Sequence, residues 1–91
     1  MFKVFKYEVP MLDEFELKLP INAQILSFQC QNDVPCIWAL VDPDRPTVAR
    51  KFRFAGTGHP MKQRLKNLKF IGTTQMQNGM LIWHLFEIIG A

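Results

Sequence analysis

Between Asp44 and Glu87 the chain has no acidic residue. Residues 1–44 hold seven acids against three lysines, a balance of −4, while residues 45–91 hold eight bases against Glu87 alone, a balance of +7. The net charge of +3 conceals that polarity. A separation of this kind steers an anionic partner toward one side. It is equally met by the protein's own acidic half, within a chain or between subunits, and both readings stay open.

Other scarcities narrow the chemistry. Cysteine occurs twice, at Cys30 and Cys36, which is no disulfide framework; two free thiols in a reducing cytoplasm are expected. With His59 and His84, the only histidines, the cysteines match no zinc spacing, so neither metal nor cofactor is expected. Serine occurs once, as Ser27 on a predicted strand rather than in a nucleophile elbow. Asp13, Glu14 and Glu16 fall on a solvated strand face, and Asp42 and Asp44 sit in a proline-flanked loop as turn formers. No catalytic constellation assembles, and the sequence predicts no enzyme. Long apolar runs are missing too. The longest, residues 36–41, is too short to span a bilayer, and Lys3, Lys6 and Glu8 interrupt the N-terminus before a signal peptide's apolar stretch could form. A cytoplasmic protein without membrane contact is the expectation.

What the chain does have is apolar and aromatic. Ninety-one residues make one domain, 48% of them hydrophobic and eight of them Phe. That fills a small core and leaves apolar surface for a subunit interface, so a homo-oligomer is expected. The aromatic and β-branched run 2–9 reads as a strand closed by Pro10. Residues 13–19 alternate cleanly, Phe15, Leu17 and Leu19 against Glu14, Glu16 and Lys18. Gln24–Gln31 places Leu26, Phe28 and Cys30 on one face and Ser27, Gln29 and Gln31 on the other, ending at the turn residues Asn32 and Asp33. Residues 36–41 are apolar throughout, as in a central strand. Residues 48–55 alternate Phe52 and Phe54 against Lys51 and Arg53. Leu68–Met76 and residues 80–89 form a hairpin about Asn78-Gly79, a pair suited to the positive φ of a type I′ turn. Residues 61–66 allow at most one short helical turn. Seven short antiparallel strands predict an all-β fold, a small sandwich or barrel.

The sharpest functional signal lies between Arg50 and Leu68, where six of the eleven Lys and Arg residues occur. Within it, Gly56, Thr57, Gly58, His59 and Pro60 form a loop. Two glycines let backbone N–H groups turn toward an anion, Thr57 and His59 add donors, and Lys51 and Arg53 on the preceding strand add charge. These are ingredients of a phosphate or nucleotide pocket, with Trp38 or Trp83 to stack on a base. The glycine spacing is that of neither a Walker motif nor a dinucleotide fingerprint. The bland readings remain alongside: glycines serving backbone angles, both tryptophans in the core, His84 as a hydrogen-bonded structural histidine. Nucleic-acid binding through Lys51, Arg53, Lys62, Arg64, Lys66 and Lys69 is the second class, held back because Phe52 alternates away from the basic residues.

The segments KVFKYEVP (3–10), DEFELKLP (13–20), CIWALVDPDRP (36–46), FRFAGTGHP (52–60) and LKFIGTTQMQNGMLIWHLFE (68–87) resemble a family of small uncharacterised proteins encoded by bacteriophages and prophages. The resemblance covers nearly the full length. It implies phage origin, a bacterial host cytoplasm and an accessory role, and transfers no catalytic or binding residue. Residues 61–66 depart from the family pattern, which is more acidic there. The combined expectation is a non-enzymatic, counter-defence type module that captures an anionic nucleotide, such as an immune signalling nucleotide. The alternatives are direct inhibition of a host defence or regulatory protein, and nucleic-acid binding.

Overall fold

The computed structural model of the protein describes residues 1–90. Seven strands follow one another: β1 (Lys3–Glu8), β2 (Glu14–Pro20), β3 (Gln24–Gln31), β4 (Val34–Val41), β5 (Thr47–Gly56), β6 (Leu68–Met76) and β7 (Leu81–Ile88). They form two antiparallel sheets, one of three strands in the order β1-β4-β3 and one of four in the order β2-β5-β7-β6. The fold is all-β, and the choice between barrel and sandwich falls to the sandwich. Phe28, Ile37, Ala39 and Val41 from one sheet meet Phe15, Leu19, Phe52, Phe54 and Leu85 from the other in a single core. Burial of apolar faces on both sheets is what holds them together.

Turn chemistry sets the registers. Gln31 pairs with Val34, so Asn32 (φ 51°) and Asp33 (φ 63°) are the two central residues of a type I′ turn. The β6–β7 connection differs from the sequence expectation. Met76 pairs with Leu81, leaving four residues, and Gln77 (φ 53°), Asn78 (φ 55°) and Gly79 (φ 86°) all have positive φ. The N–H of Gly79 returns to Met76 O at 3.2 Å, so the tight turn centres on Gln77-Asn78. The extra residue lets the Gln77 N–H reach Asp33 Oδ1 at 2.9 Å, tying the two hairpin tips together.

Two bulges shift the predicted faces. In β3 the register slips between Ile25 and Ser27, so Ile25 rather than Leu26 joins Phe28 and Cys30 on the inner side, and Leu26 is exposed. In β6 it slips between Phe70 and Gly72. There the two edge strands come together. A Cβ on Gly72 would lie 3.4 Å from Phe28 Cβ, and the Cys30 N–H donates to Thr74 Oγ1 at 3.1 Å. On the inner side, Arg50 grips Glu87 through two 2.7 Å hydrogen bonds and donates to Ala23 O at 2.6 Å. The lone carboxylate of the basic half is thereby turned inward and neutralised. Cys30 and Cys36 are free thiols on neighbouring strands. Cys36 is 1% exposed, its thiol bonds to Val34 O, and burial pushes its pKa up. Among the described residues no helix is long and apolar enough to cross a membrane.

Candidate anion-binding site

β5 and β6 both lie antiparallel to β7, on its two sides, so the chain must return from the end of β5 to the start of β6 over one face of the four-stranded sheet. The inner face is filled by core, and residues 57–67 cross the outer one as a strap. Arg53 and Glu14 point outward by register, and both hold it: Arg53 Nη2 donates to Pro60 O at 2.9 Å, and Lys62 Nζ lies 3.1 Å from Glu14 Oε2. The predicted helical turn at 61–66 is displaced, becoming a single 3₁₀ turn at Leu65–Asn67 where the strap meets β6. Lys62 therefore precedes the helical turn and does not stack over Lys66 at i,i+4 spacing.

Between strap and sheet lies a cleft of about 460 Å³. Lys51 comes from β5, Lys62, Arg64 and Lys66 from the strap, and Ile88 from β7; Glu14 is the one carboxylate in its wall. Lys62 pairs with Glu14, whereas among the described residues Lys51, Arg64 and Lys66 make no ion pair. Gln63 lines the same cleft with a buried Oε1 that has no hydrogen-bond partner, and an amide can be turned to present its N–H₂ instead. Four cations against one carboxylate on a concave wall make a ready receptor for phosphate or carboxylate groups.

The residues singled out from the sequence divide among four places. Gly56, Thr57, His59 and Trp83 do come together, in a second cleft of about 260 Å³ at the opposite end of the strap, with no Lys or Arg in its wall. Here Trp83 stacks on Phe54 with centroids 4.7 Å apart, and His59 stands edge-on to Trp83 at 6.1 Å. A Cβ on Gly56 would come within 2.8 Å of His59 Cε1 and 3.1 Å of Trp83 Cζ3, so this glycine is demanded by close packing. Gly58, at φ 85°, is demanded by its backbone angle. The Thr57 hydroxyl is engaged with His84 Nε2 at 2.7 Å, and Thr73 Oγ1 holds His84 Nδ1 at 2.9 Å, which makes His84 a structural histidine. Lys51 lies in the basic cleft instead. Arg53 is 6% exposed, and its guanidinium donates to the backbone oxygens of Asp13, Phe54 and Pro60. Its donors fasten the strap and the β1–β2 connection, which removes it from the list of ligand-facing cations. Trp38 faces outward on the three-stranded sheet, opposite Lys6 and Ser27, remote from both clefts.

Local pattern missed Gln63, and offered Arg64 and Lys66 only as part of a nucleic-acid track and not as the wall of a pocket, because their convergence on Lys51 depends on where the strap is laid. The one signal available was the acid-free basic run itself. A third hollow of about 330 Å³, between β3 and β6, contains Arg50 and Glu87, whose charges are mutually satisfied. No curated protein and no solved structure matches the chain. The family model described as a domain of unknown function, DUF7352, matches residues 1–90, and the chain belongs to that family.

Proposed function

We propose that this protein is a non-enzymatic binding module that captures an anionic, nucleotide-type ligand in the cleft beneath the strap. One observation carries the reading: among the described residues Lys51, Arg64 and Lys66 converge on a concave surface without forming an ion pair, although Glu16 stands opposite Lys51 and Glu14 in the same wall is held by Lys62. Like charges held together in this way repel, and an anion relieves that repulsion while gaining charge-assisted hydrogen bonds. The phosphate-holding role thus moves from the glycine loop to the strap. The loop's part is to anchor the strap's first residues, through Thr57 on His84 and His59 packed on Gly56. In keeping with the resemblance to phage-encoded proteins, we place the module in a bacterial host's cytoplasm as an accessory, counter-defence protein that sequesters a signalling nucleotide.

A homo-oligomer belongs to the same proposal. β1 is an edge strand without bulge or proline, and Val4 and Phe5 within it and Phe2 just before it are exposed, whereas the β3 and β6 edges cap each other. The test is native mass spectrometry of the protein with a panel of linear and cyclic nucleotides, comparing the parent with Lys51→Ala/Arg64→Ala and with Thr57→Ala/His59→Ala. A stoichiometric adduct lost only in the first double variant supports the strap cleft; loss only in the second returns the site to the glycine loop.

A further inference from the structure

The sheet beside the strap offers more than charge. The outward positions of β7 are Ile82, His84, Phe86 and Ile88, a row about 20 Å long at strand spacing. β6 adds Phe70 opposite Phe86 and Leu68 opposite Ile88. Phe70 is 58% exposed, and its ring leans edge-to-face on Phe86 with centroids 5.4 Å apart, so a neighbour fixes the orientation of an open aromatic surface. Ile88 is also a wall of the basic cleft. Phe70 therefore sits one strand across and two residues along from that wall, about 5 Å and about 7 Å respectively.

Carboxylates are few on this surface. The outward residues of β5, β6 and β7 and the whole strap contain none, and Glu87 is turned inward onto Arg50; the exceptions stand on the neighbouring β2, where Glu14 lines the cleft paired with Lys62 and Glu16 lies opposite Lys51. A cationic cleft and, one strand across on the same sheet face, an exposed aromatic ring together span more than one nucleotide, which suits a polyanion that also carries flat rings. Phosphates gain from the cations, and an unstacked base gains from the exposed ring whatever its sequence.

Resting on the capture reading above for the anion-holding cleft alone, we propose that its nucleotide-type ligand is a segment of single-stranded nucleic acid in place of a free signalling nucleotide. Its phosphates lie among Lys51, Arg64 and Lys66, and one of its bases stacks on Phe70. Duplexes are poor ligands, because their bases are already stacked on one another.

The test is fluorescence anisotropy of a labelled oligothymidylate of about 12 nucleotides, titrated with the protein at several salt concentrations. Three phosphate contacts predict a log–log salt slope of about −2. Phe70→Ala weakens binding about tenfold or more without changing that slope, and Phe70→Trp keeps it. Lys51→Ala/Arg64→Ala weakens binding and flattens the slope by about 1.4. Three results each overturn the inference: no oligonucleotide binding, unchanged affinity in Phe70→Ala, or equal affinity for duplex DNA or polyglutamate. If a mono- or cyclic dinucleotide still binds the cleft while the oligonucleotide does not, the inference falls and the capture reading stands. Phe70 is exposed, so its variants fold, and a thermal melt confirms that they do.

Discussion

Replacing Arg53 by alanine withdraws the donors that hold two chain segments onto β5. The guanidinium bonds to Asp13 O at 3.0 Å, Phe54 O at 3.1 Å and Pro60 O at 2.9 Å, and 94% of the residue is shielded from water. Its 3.5 Å approach to the Asp13 carboxylate adds little, because that side chain is 88% exposed. A hydrogen bond from a charged donor contributes about 1.5–3 kcal/mol, but the Asp13 and Pro60 carbonyls lie in surface segments and find water once released. About 3 kcal/mol is therefore the expected loss, below the simple sum of three bonds. For a domain of this size it lowers Tm by about 10–25 °C. Differential scanning calorimetry reads it directly, with Arg53→Lys falling between because an ammonium reaches fewer of the three acceptors. An Arg53→Ala protein that melts within about 3 °C of the parent would refute the structural role and restore Arg53 as a candidate ligand contact.

Gly56→Ala puts a Cβ within 2.8 Å of His59 and 3.1 Å of Trp83, a crowding that costs about 1–3 kcal/mol, and adding His59→Ala recovers part of it in chemical denaturation. The pH dependence has a defined sign. Burial raises the pKa of Cys36 above its ordinary 9.0 and of Tyr7 above its ordinary 10.0. The unfolded chain then releases these protons at lower pH than the native protein does. Stability declines as pH rises past about 9, and Cys36→Ala removes the first part of the decline in a Tm-versus-pH series.

The strands were legible because half-buried β-structure writes itself as alternation. The run 13–19 and the Phe52/Phe54 pair are both read correctly from period two alone. The errors have local physical causes. A bulge inserts one residue, so the alternation that places Phe28 and Cys30 correctly fails at Leu26, which is exposed while Ile25 turns inward. Asn78-Gly79 carries the strongest turn signal, but Gln77 also adopts positive φ because its N–H has a partner in Asp33, a residue of another hairpin. The candidate site was half legible. Gly56, Thr57, His59 and Trp83 do gather, since three of them are close in sequence and β5 pairs with β7. Nothing in local pattern tells that the strap doubles back over the outer face. That one placement buries Arg53, brings Lys62, Arg64 and Lys66 round to Lys51, and leaves Phe70 open beside them. Alternation had marked Arg53 as exposed, and without the strap it would be.

The account rests on the strap cleft as the place where an anion is held. Isothermal titration of the nucleotide identified as an adduct, into the parent and into Lys51→Ala/Arg64→Ala, tests it most directly. The prediction is one site per chain in the parent, weakening with added salt, and loss of measurable binding in the double variant with the fold intact. Equal affinity in the two proteins, or binding that salt leaves unchanged, would contradict it.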